Sequence, residues 1–311
     1  MNRRRDVHGI LPLDKPVGFT SNDALQVVKA IYRARKAGHT GSLDMVATGM
    51  LPICFGEATK MSGFLLAADK LYRVACRLGE TTTTGDSDGE LVAERPVPRL
   101  RSADVERTLA NFRGEIEQIP PMYSALKHQG KRLYQLARQG LEVERPPRRV
   151  VIRELRLLSL EERGMELRVR CSKGTYIRTL VEDIGKRLGC GGHVRALRRL
   201  EAGPFREEQM VSLQRLRELE GQGAQALDPL LLKLDRAVAA YPAVSLDQSS
   251  LIWYLRQGQA VLVPNSPTEG LVRLYDCRGR FLGMGRVLDD GRIAPHRLLL
   301  PGKGEKRAAG R

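Results

Sequence analysis

The sequence predicts an α+β fold: a mixed β-sheet core with flanking helices, closed at the C-terminus by a small β module. Two patterns carry that expectation. Through about residue 240, stretches with apolar side chains at every second position interleave with stretches at helical spacing. Beyond Pro242 only short alternating pieces remain, cut apart by glycines. Hydrophobic residues make up 42% of the 311, enough to bury a core and too many for wholesale disorder. A chain this long divides comfortably into two domains, here 1–240 and 241–301, with 302–311 as a disordered basic tail.

GILPL (residues 9–13) reads as a short strand running into a turn at Asp14-Lys15-Pro16. SNDALQVVKAIYRA then predicts a helix from about Ser21, with Ser21 or Asn22 as N-cap and Leu25, Val28 and Ile31 or Tyr32 on its buried face. AGHTGSLDMVATG (37–49) is a poor helix and a poor strand, because Gly, Ser and Thr favour turns and local backbone bonds. MLPICFG follows as a buried strand, and EATKMSGFLLAAD as an amphipathic helix. KLYRVACRLGE alternates, with Tyr72, Val74, Cys76 and Leu78 on one face. A loop (TTTTGDSDGE), a strand (LVAERP) and a helix from about Ser102 come next. Two strands joined by a turn near Gly164, a helix ending at Gly189 and a basic strand, HVRALRRLEAGPF, complete the larger part. Short helices occupy 212–232, and YPAVSLDQSS reads as a linker around Pro242. In the appendix beyond it, which reads as all-β, Trp253 is expected to pack inside.

The charge is the strongest compositional signal. Lys and Arg exceed Asp and Glu by +16, the footprint of a protein that meets phosphates. Eight basic residues lie between Lys127 and Arg153, opposed only by Glu142 and Glu144. No segment has the apolar length to span a bilayer, and the N-terminus, broken by Pro12, Asp14 and Pro16, is not a signal peptide. Cytoplasm is the default expectation. Five cysteines at wide spacings argue against a disulfide framework, and the lone Cys190 and His193 pair is weak as a metal site. GDSDGE fails as a calcium loop, since counting from Asp86 puts Gly89 at position four and Val97 at twelve. No Walker lysine or GxGxxG motif occurs, so there is no nucleotide-phosphate signature.

What remains is one carboxylate, Asp44, in a long polar loop of a basic protein. Such a residue is an ordinary solvated turn unless something holds it ionised. An arginine beside it would do so, and a tyrosine could stack on an extruded base. Spacing does not show that these residues converge. Tyr72 is equally explained by core packing, Arg178 by a solvent-facing helix start, and His39 by a loop bonding its own backbone.

Five segments in order, however, resemble the TruB family of tRNA pseudouridine synthases: GILPLDKPVGFTSNDALQ, GHTGSLDMVATGMLPICFGEATK, KLYRVACRLGE, IPPMYSALKHQGKRLYQLARQG and CSKGTYIRTLVEDIG. The resemblance runs from Gly9 to about Leu300. It implies a pseudouridine-synthase sheet core, a basic RNA-clamping insertion at about 119–148, and a PUA-like C-terminal β-barrel that binds RNA. Asp44 takes the place of the catalytic aspartate, Tyr72 that of the tyrosine stacked on the uracil, and Arg178 that of the arginine paired with the carboxylate. Tyr176 and Leu197 line the uridine pocket by the same implication. His39 takes part in flipping, Lys15 supports the active-site loop, and Asp86 helps hold the arginine. Lys127, Lys131, Arg132 and Arg138 contribute RNA contacts.

The reaction so implied turns uridine 55 in the T-loop of tRNA into pseudouridine without cofactor, metal or guide RNA, in a protein that need be no more than a monomer. The tRNA is gripped at its T-arm and elbow. The chain departs from the family in one place: Met45 and Val46 stand where Pro and Leu are usual after the aspartate. The losing alternatives are a non-catalytic tRNA-binding or folding chaperone, which can coexist with the activity, a nucleobase-releasing glycosylase, and a guide-RNA-dependent synthase.

Overall fold

The computed structural model describes residues 4–299; the basic tail expected at 302–311 lies outside them. Nine strands form the central sheet. Eight run in the order Val211–Ser212, Gly9–Lys15, Ala47–Phe55, Gly192–Ala202, Lys70–Leu78, Gly164–Cys171, Arg148–Glu161 and Gly114–Gln118, and Ala37–His39 pairs separately onto Ala47–Phe55. Neighbours are antiparallel except for two pairs, Gly9–Lys15 with Val211–Ser212 and Ala47–Phe55 with Gly192–Ala202. The second parallel pair places the strand that leaves the Asp44 loop against the basic strand HVRALRRLEA.

The helix Ser21–Ile31 packs on the sheet through Leu25, Val28 and Ile31, as its spacing predicts. Its N-cap is Thr20, not Ser21 or Asn22: the Thr20 hydroxyl accepts from the Asp23 N–H, and the Asp23 carboxylate accepts from the Thr20 N–H. Ser21 has another partner, since its hydroxyl both accepts from the Leu43 N–H and donates to the Leu43 carbonyl. The second predicted helix divides into a 3₁₀ segment, Gly56–Met61, and a short α-helix, Ser62–Ala67. Three carbonyls at its end, of Leu65, Leu66 and Ala68, accept from the buried Lys70 ammonium. Gly114–Gln118 is not legible as a strand in the sequence, because GEIEQ carries a single apolar side chain. Pairing with Arg148–Ile152 makes it one.

Two faces of the sheet bury two apolar clusters. One gathers the helices Ser21–Ile31, Ser102–Ala110 and Ile177–Arg187 over Leu11, Leu51, Val74 and Leu167. The other joins Ile10, Met50, Met61 and Phe205 to Val238 and Met284, and so seats the C-terminal module on the sheet. That module is a four-stranded sheet in the order Ala243–Leu246, Leu271–Asp276, Phe281–Val287 and Ile293–Leu298. The expected linker around Pro242 is therefore a strand, whose Val244 and Leu246 enter the module's own core. The module is also not all-β. Ser249–Arg256 is a helix held by Leu255, and Trp253 on it stays half exposed against Tyr254 instead of packing inside.

Candidate functional site

The site grows from the loop that links Ala37–His39 to Ala47–Phe55. Both ends of AGHTGSLDMVATG are strand, contrary to the expectation of a long irregular loop, because Ala37–His39 borrows the edge of its neighbour. The remainder, 40–46, is tied down from three sides. Thr40 donates its N–H to the Pro52 carbonyl, Leu43 is held by Ser21, and the Met45 carbonyl accepts from the Gly18 N–H at 3.0 Å. Within the loop the Ala47 N–H donates to the Asp44 carbonyl. The departure from proline at position 45 thus falls in a backbone already fixed by its neighbours.

Asp44 projects from this loop into a cavity of about 290 Å³ lined by Tyr72, Tyr176, Arg178, Leu197 and Arg199. Arg178, in the first turn of Ile177–Arg187, puts its Nε 3.1 Å from Asp44 Oδ2 and 3.6 Å from Asp86 Oδ2. Its other nitrogens donate to backbone: Nη1 to the Thr84 carbonyl at 2.8 Å and Nη2 to the Tyr123 carbonyl at 2.7 Å. The guanidinium is therefore gripped by the Asp44 loop, the Thr84–Asp86 turn and the start of the basic insertion together. Asp86 is buried and fixed by the Thr84 hydroxyl and the Asp88 N–H.

The helix start that carries Tyr176 and Arg178 has its own anchor. Buried Gln118 accepts from the Tyr176 N–H at 2.8 Å and donates to the Tyr176 carbonyl at 3.0 Å, a two-point clasp on one peptide segment. Tyr72 and Leu197 face the same cavity from adjacent strands. Lys15 is fully buried and donates to the Pro16 and Phe19 carbonyls, which holds the turn before Thr20 in place.

Burial and charge tune these groups in opposite senses. The cavity walls push the Asp44 carboxyl above its ordinary range, against the downward pull of Arg178. Burial raises the Tyr72 and Tyr176 phenols. Lys15 and Lys70 are each lowered to about 8, chiefly by burial, with Arg199 adding to it. His39 is lowered by burial and then by Arg199, so it is held neutral, and its Nδ1 is buried without a partner. It stands on the short strand beside the cavity and not on its wall.

The four basic residues expected to touch RNA stand apart from this cavity. Lys127, Lys131 and Arg132 lie exposed on a two-stranded hairpin, and Arg138 covers the Tyr134 ring at 5.6 Å. Arg199, Lys70, Gln118 and Ser21 escaped the sequence reading. Lys70 and Ser21 look like ordinary element ends, and Arg199 is indistinguishable in sequence from its neighbour Arg198. The Cys190 and His193 pair forms no metal cluster among the described residues, and no described helix is long and apolar enough to cross a membrane.

A carboxylate paired with an arginine thus faces a pocket walled by two tyrosines. Comparison with known proteins supplies the family. Residues 29–177 match the TruB family pseudouridylate synthase N-terminal domain, 178–239 the tRNA pseudouridylate synthase B C-terminal domain, and 242–299 the C-terminal domain of pseudouridine synthase II TruB. The chain is 57% identical over 300 residues to tRNA pseudouridine synthase B of Nitrosococcus oceani, covering 96% of this chain and 97% of the relative. It is 56% identical to the protein of that name from Coxiella burnetii, covering 95% and 96%. Among solved structures it is similar to a chain of a Cbf5-Nop10-Gar1 complex, with a TM-score of 0.74 and 25% identity over 94% of this chain and 85% of the other. The chain belongs to the TruB family of pseudouridine synthases.

Proposed function

We propose that the chain isomerises uridine 55 in the T-loop of tRNA to pseudouridine, with Asp44 as the catalytic group. The observation that carries this reading is the Asp44 and Arg178 pair at the wall of a cavity of about 290 Å³ that Tyr72 and Tyr176 also line. The names of the relatives, each a tRNA pseudouridine synthase B, supply the tRNA.

In this reading the uridine leaves its stack and enters the cavity, with its ring on Tyr72 and its edges against Tyr176 and Leu197. His39, neutral beside the mouth, helps displace it. Arg178 keeps Asp44 anionic despite the crowding of the walls. The bond from C1′ to N1 breaks, the uracil turns, and C5 bonds to C1′. N1 takes up a proton and the C5 proton departs, with Tyr72 placed to help move it. Nothing is oxidised, so the chemistry requires no redox partner.

Residues 1–240 are the catalytic domain of this proposal, and the segment 119–148 clamps the T-arm and elbow through Lys127, Lys131, Arg132 and Arg138. The PUA-like domain, 241–301, adds RNA contacts. In this proposal the chain acts as a monomer, in the cytoplasm and without guide RNA.

The test is an unmodified tRNA transcript carrying tritium at uridine C5, given to the purified protein alone. A pseudouridine synthase frees the tritium, leaves the strand intact, and does so at position 55. A glycosylase releases free uracil, and a binding protein does neither. Asp44→Asn should abolish release while still binding tRNA; near-normal release from it would remove Asp44 from the reaction.

A further inference from the structure

Arg199 has no task in the reaction just described, yet it sits at the centre of the site with 1% of its surface exposed. Its neighbours in the sheet define where it stands. On one side it pairs in register with Tyr72, and on the other with Gly49, five residues beyond Asp44. Its guanidinium reaches the start of the Asp44 loop and the strand that follows it. Nε donates to the Met50 carbonyl at 2.6 Å, and Nη2 donates to the Gly41 carbonyl at 2.9 Å. Its charge pulls the Tyr72 phenol down against the rise that burial causes. The backbones approach as closely: a Cβ on Gly49 would stand 2.2 Å from the Arg199 carbonyl oxygen.

Taking a cation out of water is costly, and its acceptors here are neutral carbonyl oxygens from two separate segments. Packing alone would be served better by an apolar side chain. What an arginine adds is a planar fork with donors at fixed angles, which a lysine ammonium lacks. The fork ties the beginning of the loop to the strand that leaves it, and strand pairing sets Tyr72 beside Arg199.

We propose that Arg199 is a positioning residue for the isomerisation, setting the Asp44 loop and the Tyr72 ring at a fixed distance and angle around the flipped base. The proposal rests on the roles given above to Asp44 and Tyr72. Its physical basis is the steep dependence of rate on aim: a displacement of about 1 Å can cost about a hundredfold.

Arg199→Lys tests it, because it keeps the charge and the apolar stem and loses only the fork. Arg199→Gln removes the charge as well. Both are assayed below their thermal transitions, by tRNA dissociation constant and by single-turnover tritium release at saturating tRNA. We expect Arg199→Lys to bind within about threefold of the wild type and to release tritium at least about thirtyfold more slowly. Release within about threefold of the wild type would overturn the proposal. So would a loss of binding as large as the loss of rate, which marks a damaged fold instead of lost aim. If Arg199→Gln does not fold, the lysine variant decides alone. Release by the wild-type chain, measured alongside, keeps a failure of the functional reading separate from a failure of this one.

Discussion

Arg178 and Asp44 form an ion pair with unequal exposure: 7% of the arginine side chain reaches solvent and 48% of the aspartate does. The buried partner is the fixed one, held by two carbonyls and a second carboxylate, and the open partner is the one a substrate can meet. Arg178→Met should therefore do two kinds of damage. It leaves Asp86 buried without its cation, at a cost of about 3 kcal/mol or more, and it removes the charge that pulls the Asp44 carboxyl down. Arg178→Lys keeps the charge but cannot span Thr84, Tyr123 and Asp44 at once. We expect tritium release to fall at least about a hundredfold in Arg178→Lys, with a smaller loss of melting temperature than in Arg178→Met. Equal activity in the lysine variant would show that charge without aim suffices.

The raised Asp44 carboxyl gives a sign for stability. The folded chain binds this proton more tightly than the unfolded chain, so the folded state holds more protons between the two pKa values. Stability then falls as pH rises through that window, and the ionised carboxylate at neutral pH is a net cost to folding. Asp44→Asn should melt at the same temperature as the wild type or higher at pH 7. A lower melting temperature would show that the Arg178 pair outweighs burial. On the proposed mechanism activity has the opposite slope, because the anion is its working form: the acid limb should lie above the range of an ordinary carboxylate.

Gly49 and Gly114 make a matched pair. Both have positive φ, +97° and +87°, but a Cβ at Gly49 meets the Arg199 backbone while one at Gly114 meets nothing within 4 Å. Gly114→Ala should cost about 1 kcal/mol, the strain of the left-handed region alone. Gly49→Ala should cost about 3 kcal/mol or more, with the clash added to the strain. Denaturant midpoints measure both. Equal losses would mean that the two strands can separate without penalty.

Met45→Pro should leave release equal to or above the wild type. The side chain is 47% exposed, the carbonyl bonded to Gly18 survives the change, and the Met45 N–H donates to no acceptor among the described residues that proline would forfeit. Collapse of activity would identify the methionine as an adapted choice.

The basic hairpin should act through salt. Lys131 and Arg132 are exposed and outside the cavity, so Lys131→Ala with Arg132→Ala should weaken tRNA binding without changing release at saturating tRNA. The slope of log affinity against log salt should drop by about one for each phosphate that the hairpin no longer neutralises. An unchanged slope would remove these two side chains from the RNA interface.

How much of this the sequence disclosed depends on the kind of residue. Tyr72 was visible as one face of an alternating strand, and the helix holding Arg178 as a 3.6-residue pattern. Their meeting with Asp44, across a sequence gap that for Arg178 exceeds a hundred residues, came from the order of five family motifs and not from spacing. Arg198 and Arg199 show where local reading stops. One forms a two-point ion pair with Asp14, and the other is buried under the loop. Bulges between Val194 and Ala196 and between Arg199 and Glu201 break the alternation that would have told them apart. Gln118 was hidden for a different reason. Its function is to bond one backbone segment, and a glutamine after GEIE carries no sign of it.

The clasp between Gln118 and Tyr176 also has a mechanical meaning. The segment read as the basic insertion begins at the next residue, and Gln118 rivets its root to the helix whose first turn bears Arg178. A load on that segment would reach the helix start through these two hydrogen bonds.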